Sequence, residues 1–390
     1  MIDVVLHKDR DRAVRRRHPW VLSGAVARLD PPDAGVPGAF VRVLSAAGEV
    51  VGWGHLSPGA SLRVRLVSFD KEPPPDDWLE QRVARAVERR AAQSLVGETD
   101  AVRLVNAEGD ALPGLVADRY ADTVVVKFTA AGMAVRRDAV AEALRAASGA
   151  SVGFERADAA ASRREGLAAR SGPLWGEAPR EPIWIRERGR RYRVDLVGGQ
   201  KTGFYLDQRD ARDRVERLAA GRRVLDAFAY TGGFSVAAIH GGARSVTLVE
   251  SSAPALALAR ENLAEAPGCE VRAVEADVFR FLREDVEEYD LIVIDPPPLA
   301  RARRDVTRAT RAYKDAVLHA LGRAAPGAHL LCFSCSHHVG PDLFRKVVFG
   351  ASLDAGRSLR VLATLGPPAD HPVSLDHPEG TYLNGLLLEA

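Results

Sequence analysis

A chain of 390 residues with 46% hydrophobic and 27% charged residues can bury the cores of two or three domains. Its formal net charge of only +2 argues neither for nor against a nucleic-acid partner, and three cysteines exclude a disulfide framework. No apolar run of about eighteen residues and no secretory leader is visible, so a cytoplasmic protein without a membrane span is expected.

In chain order, residues 1–70 carry short apolar or alternating runs, "FVRVLS", "VVGWGHLS" and "LRVRLVSF", between Gly- and Pro-rich turns. This grammar predicts a small β domain. The stretch "KEPPPDDW" (Lys71–Trp78) breaks the pattern and reads as a linker. A helix should follow, with Leu79, Val83, Val87 and Ala91 on one face and Arg82, Arg85 and Arg89 on another.

A second block, 76–195, begins with "AVRLVNAEGDALPGLVADRYADTVVVKF", strands around turns at Gly109 and Pro113. A helix near Arg136 to Ala147 and a closing hairpin, "WIRERGRRYRVDL", turning near Gly189, complete a mixed α+β domain. The third block, 196–390, changes to repeated strand-helix units: "RRVLDAFAYTGGFSVAAIHGG", "SVTLVESSAPALALARENLA", "CEVRAVEADVFRFLRE" and "YDLIVIDPPP". A helix from Val306 to Leu321, the strand "AHLLCFSCS" and two late strands, "SLRVLATLG" and "TYLNGLLLE", follow. The overall class is α/β, with a parallel doubly wound sheet. Two basic stretches, "HKDRDRAVRRRH" and "LARARRDVTRATRAYK" (Leu299–Lys314), suit either phosphate contacts or solvated helix faces.

Sheets of this kind bind ligands beyond the carboxyl ends of their strands. Asp226, Glu250, Asp277 and Asp295 fall there in succession. The turn "DAFAYTGGF" lacks a dinucleotide fingerprint, but Gly232 and Gly233 allow close backbone approach. Glu250 suits a ribose diol, Asp277 an adenine amino group, and Asp226 a cationic ammonium, which together point to S-adenosylmethionine.

The third block resembles the class I S-adenosylmethionine-dependent methyltransferases, with a Rossmann-like sheet. The whole chain is similar to the RlmI-like bacterial 23S rRNA (cytosine-C5)-methyltransferases. The resemblance runs through "HPWVLSGAV", "NAEGDALPGLVADRY", "GGQKTGFYLDQR", "DAFAYTGGF", "DPPP", "FSCS" and "DHPEGTYLNG". It implies an N-terminal PUA β-barrel that binds RNA, a central α+β domain and a catalytic domain acting on large-subunit rRNA. It also implies that Gln200, Lys201, Thr202, Phe204 and Asp207 lie beside the cofactor, with Tyr230, Thr231, Val278 and Pro296. Many such enzymes dimerise, which makes a homodimer plausible.

Cys332 and Cys335 have the C-x-x-C form of a zinc or redox pair. Residues three apart on one strand face opposite sides, so they should not converge, and no metal site is expected. Cys335 falls at the strand's carboxyl end among polar neighbours, where a thiolate could add to C6 of an unstacked cytosine. By the resemblance, Asp295 hydrogen-bonds the cytosine edge. The segment after it, "DPPPLA", lacks the second cysteine that many RNA 5-methylcytosine enzymes carry. His337 and His338 are either general bases, phosphate contacts or exposed loop residues. Three alternatives stay open: N-methylation of a purine through the "DPPP" turn, a small-molecule methyltransferase, and a non-catalytic RNA-binding assembly factor. The first lacks an aromatic platform, since position 298 is proline.

Overall fold

The computed structural model describes every residue except 33–34, 94–96, 265–267 and 301, so Arg301 of the second basic stretch lies outside the described residues. The chain forms two compact units. The first comprises Met1–Glu181, Leu196–Phe204 and Ala369–Gly380; the second comprises Pro182–Asp195, Tyr205–Pro368 and Thr381–Ala390.

In the first unit, β1 (Ile2–Leu6), β2 (Trp20–Leu22), β3 (Val26–Asp30), β4 (Phe40–Leu44), β5 (Val50–Leu56) and β6 (Leu62–Ser68) make one sheet in the order β2-β6-β5-β4-β1-β3. Alternate residues Val4 and Leu6, Val41 and Val43, and Val64 and Leu66 point into its core. A second sheet, β7 (Ala101–Asn106), β8 (Leu115–Tyr120), β9 (Thr123–Phe128), β10 (Val152–Glu155) and β11 (Gly172–Trp175), runs in the order β11-β10-β9-β8-β7. The helices Trp78–Ala91 and Arg137–Ser148 pack on it.

The first of these helices buries the expected Leu79 and Val83, with Val87 packed at the edge of the core, but the buried face is shifted from Ala91 towards Ala86 and Arg90. Trp78, Leu79, Val83, Ala86 and Arg90 are buried, while Ala91 is exposed. Arg90 turns the helix inward because it has partners there. Its guanidinium makes a two-pronged bond of 2.7 Å to Asp110 and donates to the carbonyls of Arg103 and Asp370.

In the second unit, β12 (Ile183–Glu187) and β13 (Arg190–Val194) form the expected hairpin. Its two-residue turn has Arg188 at φ +49° and Gly189 at φ +82°, the double left-handed geometry that matches strand twist. Seven strands then build the main sheet: β14 (Arg223–Ala227), β15 (Ser245–Glu250), β16 (Glu270–Glu275), β17 (Tyr289–Ile294), β18 (Ala324–Ser334), β19 (Arg360–Leu365) and β20 (Asn384–Glu389). The order is β16-β15-β14-β17-β18-β20-β19. β14 to β18 are parallel, and β20 is antiparallel to both of its neighbours. The order reverses between β14 and β17, so a crevice is expected there.

Both faces of this sheet are covered, which is why its strands read as nearly continuous apolar runs. Leu225, Ile292, Ile294, Leu330, Cys332 and Leu386 pack on one face, against the helices Val278–Glu284, Val306–Leu321 and Pro341–Asp354. Val224, Leu291, Val293, Leu331, Phe333 and Leu387 pack on the other, with the helices Arg209–Leu218 and Gly233–His240. Among the described residues, no helix is long and apolar enough to cross a membrane.

The helix Arg209–Leu218 escapes a hydrophobic-pattern reading because the face it buries is largely ionic: Arg209, Arg212 and Asp213 beside Ala211 and Val215. The organising group is Glu187 on the inward face of the hairpin, fully buried. Arg212 grips it with two bonds of 2.7 and 2.6 Å, and Arg209 and Arg190 each approach to 3.3 Å. Burial alone would raise its pKa, but the guanidiniums of Arg212, Arg209 and Arg190 outweigh burial and hold it below the usual range. Glu187 therefore stays ionised throughout the neutral range. Glu187→Ala leaves buried cations without their shared carboxylate, at a cost of about 3–5 kcal/mol. A fall in thermal midpoint, with Glu187→Gln falling less, is the expected result of a melt followed by circular dichroism.

Candidate active site

The first crossover of the main sheet builds the centre of the site. β14 ends in a turn whose backbone is left-handed at Phe228 (φ +66°), Tyr230 (φ +51°) and Gly232 (φ +76°). Two of these are aromatic residues that disfavour such φ, so the surroundings must impose it. Glu250, the last residue of β15, accepts from the Tyr230 N–H at 2.9 Å with Oε2 and from the Ser252 N–H at 2.8 Å with Oε1. Asp226, fully buried in β14, accepts from the N–H (3.0 Å) and Oγ (2.7 Å) of Ser235 in the first turn of the helix Gly233–His240. Asn262 clamps the turn from the side: its Nδ2 donates to the Thr231 carbonyl at 2.9 Å, and its Oδ1 accepts from the Arg193 N–H at 2.6 Å.

Burial pushes the Asp226 carboxyl up to about 6, with a further contribution from the Glu250 charge and opposition from the Ser235 bonds. Its Oδ1 is buried with no hydrogen-bond partner among the described residues, as are Thr231 Oγ1 and Gln208 Oε1. Such orphaned polar atoms are rare in finished cores and cluster where a ligand is to be met. Asp277 is exposed and caps the helix Val278–Glu284, accepting from the Arg280 N–H at 2.8 Å, with Val278 buried behind it.

The other side of the crevice is the end of β17. Asp295 is half-buried and accepts from Gln208 Nε2 at 2.9 Å, and Pro296 is buried behind it. Cys335, just past the end of β18, is half-buried, and its thiol donates to the Pro296 carbonyl at 3.5 Å. Asp207 accepts from the Tyr382 hydroxyl at 2.7 Å. Tyr205 meets Tyr230 edge-on with ring centroids 5.4 Å apart. Burial, then the charges of Asp295 and Cys335, raise the Tyr205 phenol well above its ordinary value, so it remains protonated.

The two cysteines diverge as the strand parity predicts. Cys332 is fully buried in the core of one face of the sheet, whereas Cys335 packs beside the cluster on the other. Burial pushes the Cys332 thiol up to about 12, which leaves it inert. His337 and His338 are exposed, their rings 5.6 Å apart.

Gln200, Lys201, Thr202 and Phe204 belong to the first unit, where a buried polar network fixes the last two. Arg103 holds Asp118 with two bonds, Thr202 donates to Asp118 at 2.5 Å, and the Tyr120 hydroxyl lies 2.8 Å from Thr202 Oγ1. The Phe204 N–H donates to the same hydroxyl at 3.2 Å. Lys201 is left-handed at φ +49° and half-buried, and Gln200 is exposed. Residues that the motif reading did not single out are Asn262, Ser235, Tyr205, Gln208 and Tyr382. Tyr205 and Gln208 stand inside the quoted "GGQKTGFYLDQR", but Asn262 carries no local signal, since it acts through two backbones distant in sequence.

Comparison with known proteins bears on this geometry. Residues 135–380 match the family model described as S-adenosylmethionine-dependent methyltransferase, and residues 4–69 match a PUA-like domain. The protein named ribosomal RNA large subunit methyltransferase I of Aeromonas salmonicida is 40% identical over 398 residues, covering 99% of both chains. The chain belongs to the ribosomal RNA large subunit methyltransferase I family. The Photobacterium profundum member is likewise 40% identical, over 98% of both chains. Among solved structures, an S-adenosylmethionine-dependent methyltransferase from Streptococcus mutans superposes with TM-score 0.82 over all of both chains, at 24% identity, a likeness of fold.

Membership of this methyltransferase I family makes S-adenosylmethionine the cofactor. The residues present fit it: three orphaned buried polar atoms and a glycine at φ +76° surround the first turn. The carboxyl of Asp226 generates a test. Raised from 3.8 to about 6 by folding, it costs stability as pH climbs from about 4 to 6 and then levels, since below that range it is protonated in both states. Asp226→Asn, which keeps an acceptor for Ser235, removes this loss, by up to about 3 kcal/mol. In thermal melts of the cofactor-free protein, the variant should match wild type near pH 4 and exceed it near pH 7.

Proposed function

We propose that this chain methylates C5 of a cytosine in large-subunit rRNA, with Cys335 as the nucleophile. The observation that carries the reading is the half-buried Cys335 thiol, 3.5 Å from the Pro296 carbonyl and next to the Asp295 turn at the carboxyl ends of β17 and β18. The rRNA substrate follows from the names of relatives that match over nearly the whole chain. Residues 1–70 form the PUA-like RNA-binding domain, 76–195 the central domain and 196–390 the methyltransferase domain, in this proposal.

Cytosine C5 is a weak nucleophile until C6 is saturated. The Cys335 thiolate adds to C6, and the C5=C6 electron pair moves onto the ring as an enamine. When bound, S-adenosylmethionine supplies an electrophilic methyl group, which C5 takes. Loss of the C5 proton then restores C5=C6 as the C–S bond breaks and the thiolate leaves. Asp295, steadied by Gln208, hydrogen-bonds the amidine edge of the base and favours enamine formation. The segment directly after Asp295, "PPPLA", carries no thiol, so in this proposal the C5 proton goes to a group other than a cysteine there.

For the cofactor, the remaining lone pairs of Glu250 take the ribose hydroxyls, and Asp277 takes the adenine amino group beside Val278. Tyr230, Thr231, Gly232 and Gly233 supply the close backbone. Asp226 braces that turn and favours a cation above it. Gln200, Lys201, Thr202, Phe204, Asp207 and Pro296 complete the proposed contacts.

With isotopically labelled S-adenosylmethionine and unmodified 23S rRNA, wild type should yield labelled 5-methylcytosine. Cys335→Ala should fall at least about 1,000-fold, on the scale of removing a catalytic nucleophile, and Cys332→Ala should stay near wild type. RNA carrying 5-fluorocytosine should trap wild type, but not Cys335→Ala, as a covalent complex. A labelled purine made equally by all three proteins overturns the covalent route.

A further inference from the structure

The hairpin β12–β13 has an inward face packed into the fold and an outward face that carries aromatic and basic side chains. Ile185, Glu187, Arg190, Tyr192 and Val194 point inward and are buried. The outward positions are Trp184, which is 44% exposed, Arg186 and Arg191, both exposed, and the half-buried Arg193. The register sets Trp184 opposite Arg193 and Arg186 opposite Arg191. The pairing places two guanidiniums side by side on the exposed face of the hairpin. A polyanion laid across it meets concentrated positive charge.

The aromatic group is pre-arranged as well. The Arg191 guanidinium lies over the Trp184 ring at 4.7 Å from its centroid, giving a flat platform edged with positive charge. Beside it opens a cavity of about 520 Å³ walled by Trp184, Arg191, Val236, Ile239, Asn262 and Leu263. Among the described residues lining it, Glu261, paired with Arg193 at 2.7 Å, is the acidic one. Arginines interleaved with an exposed aromatic beside an apolar hollow is the chemistry of single-stranded nucleic-acid contact, phosphates on the cations and a base on the ring.

We infer that the outward face of β12–β13 is a second RNA-contact surface, separate from the PUA-like domain, which takes a single-stranded segment of the RNA. Phosphates meet Arg186, Arg191 and Arg193, and one base stacks on Trp184. The RNA assignment rests on the proposed rRNA substrate. The surface is tied to the cofactor turn through Asn262, which bonds Arg193 on the hairpin and Thr231 in the turn. RNA held on the hairpin thereby steadies the loop that contacts the cofactor.

The test measures binding of the full-length protein to a short fluorescent single-stranded RNA and to unmodified 23S rRNA at several salt concentrations. Trp184→Ala should weaken oligonucleotide binding about tenfold or more, with Trp184→Phe retaining most of it. Arg186→Gln/Arg191→Gln, on the exposed face, should reduce the slope of log affinity against log salt by roughly 1–1.5, the value for two lost phosphate contacts on a single strand. Melting temperature and S-adenosylmethionine affinity of these variants should match wild type. Wild-type affinity and slope in every variant overturns the inference, as does an unchanged RNA affinity accompanied by a change in sedimentation, which would make the face a contact between copies. Wild type that binds the oligonucleotide through Trp184 but leaves 23S rRNA unmethylated sinks the rRNA reading alone.

Discussion

Two carboxylates hold the first turn of the main sheet in a backbone geometry that its aromatic residues disfavour. Phe228 and Tyr230 sit at positive φ, each at a cost on the order of 1–3 kcal/mol. Glu250 captures the Tyr230 N–H and Asp226 captures the start of the next helix. With these bonds, the turn leaves Thr231 Oγ1 and an oxygen of Asp226 unspent beside a glycine that admits close approach. The acidic residues that suggest a cofactor site in the sequence thus have two duties. In the proposed site they can meet a ligand only because they first shape the backbone around it.

The fold was legible where periodicity is strong. Continuous apolar runs marked the parallel strands because both sheet faces are buried, and the alternation of Leu225, Ile292 and Leu330 against Val224, Leu291 and Leu331 follows the period of the strand. The same strand parity sets Cys332 and Cys335 on opposite faces in the sequence itself. Ionic burial was not legible. The helices Trp78–Ala91 and Arg209–Leu218 both sink arginines into the interior, where Asp110 and Glu187 receive them. A pattern that sorts residues into apolar-in and charged-out leaves these arginines outside, because it cannot see a carboxylate contributed by another element.

The candidate site divides along the same line. Motif residues at strand ends, Asp226, Glu250, Asp295 and Cys335, are local features of strand-turn grammar and could be read directly. Asn262 and Gln208 act through partners 31 to 87 positions away, so only the fold discloses them. Cys332 and Cys335 show how little composition decides a thiol's surroundings. Two thiols three residues apart differ because one enters the core, where burial pushes it up to about 12, and the other reaches the rim.

The position of β20 has a consequence for how the protein is made. It lies between β18 and β19, yet it follows both in the chain, so each must wait for a partner not yet synthesised. A nascent chain that has released Leu365 but not Asn384 carries two open strand edges, including the apolar Leu330–Phe333 segment, which readily pair with other chains. Completion of the sheet therefore waits on β20. Premature termination upstream of Asn384 should yield an aggregation-prone polypeptide rather than a smaller, weaker enzyme.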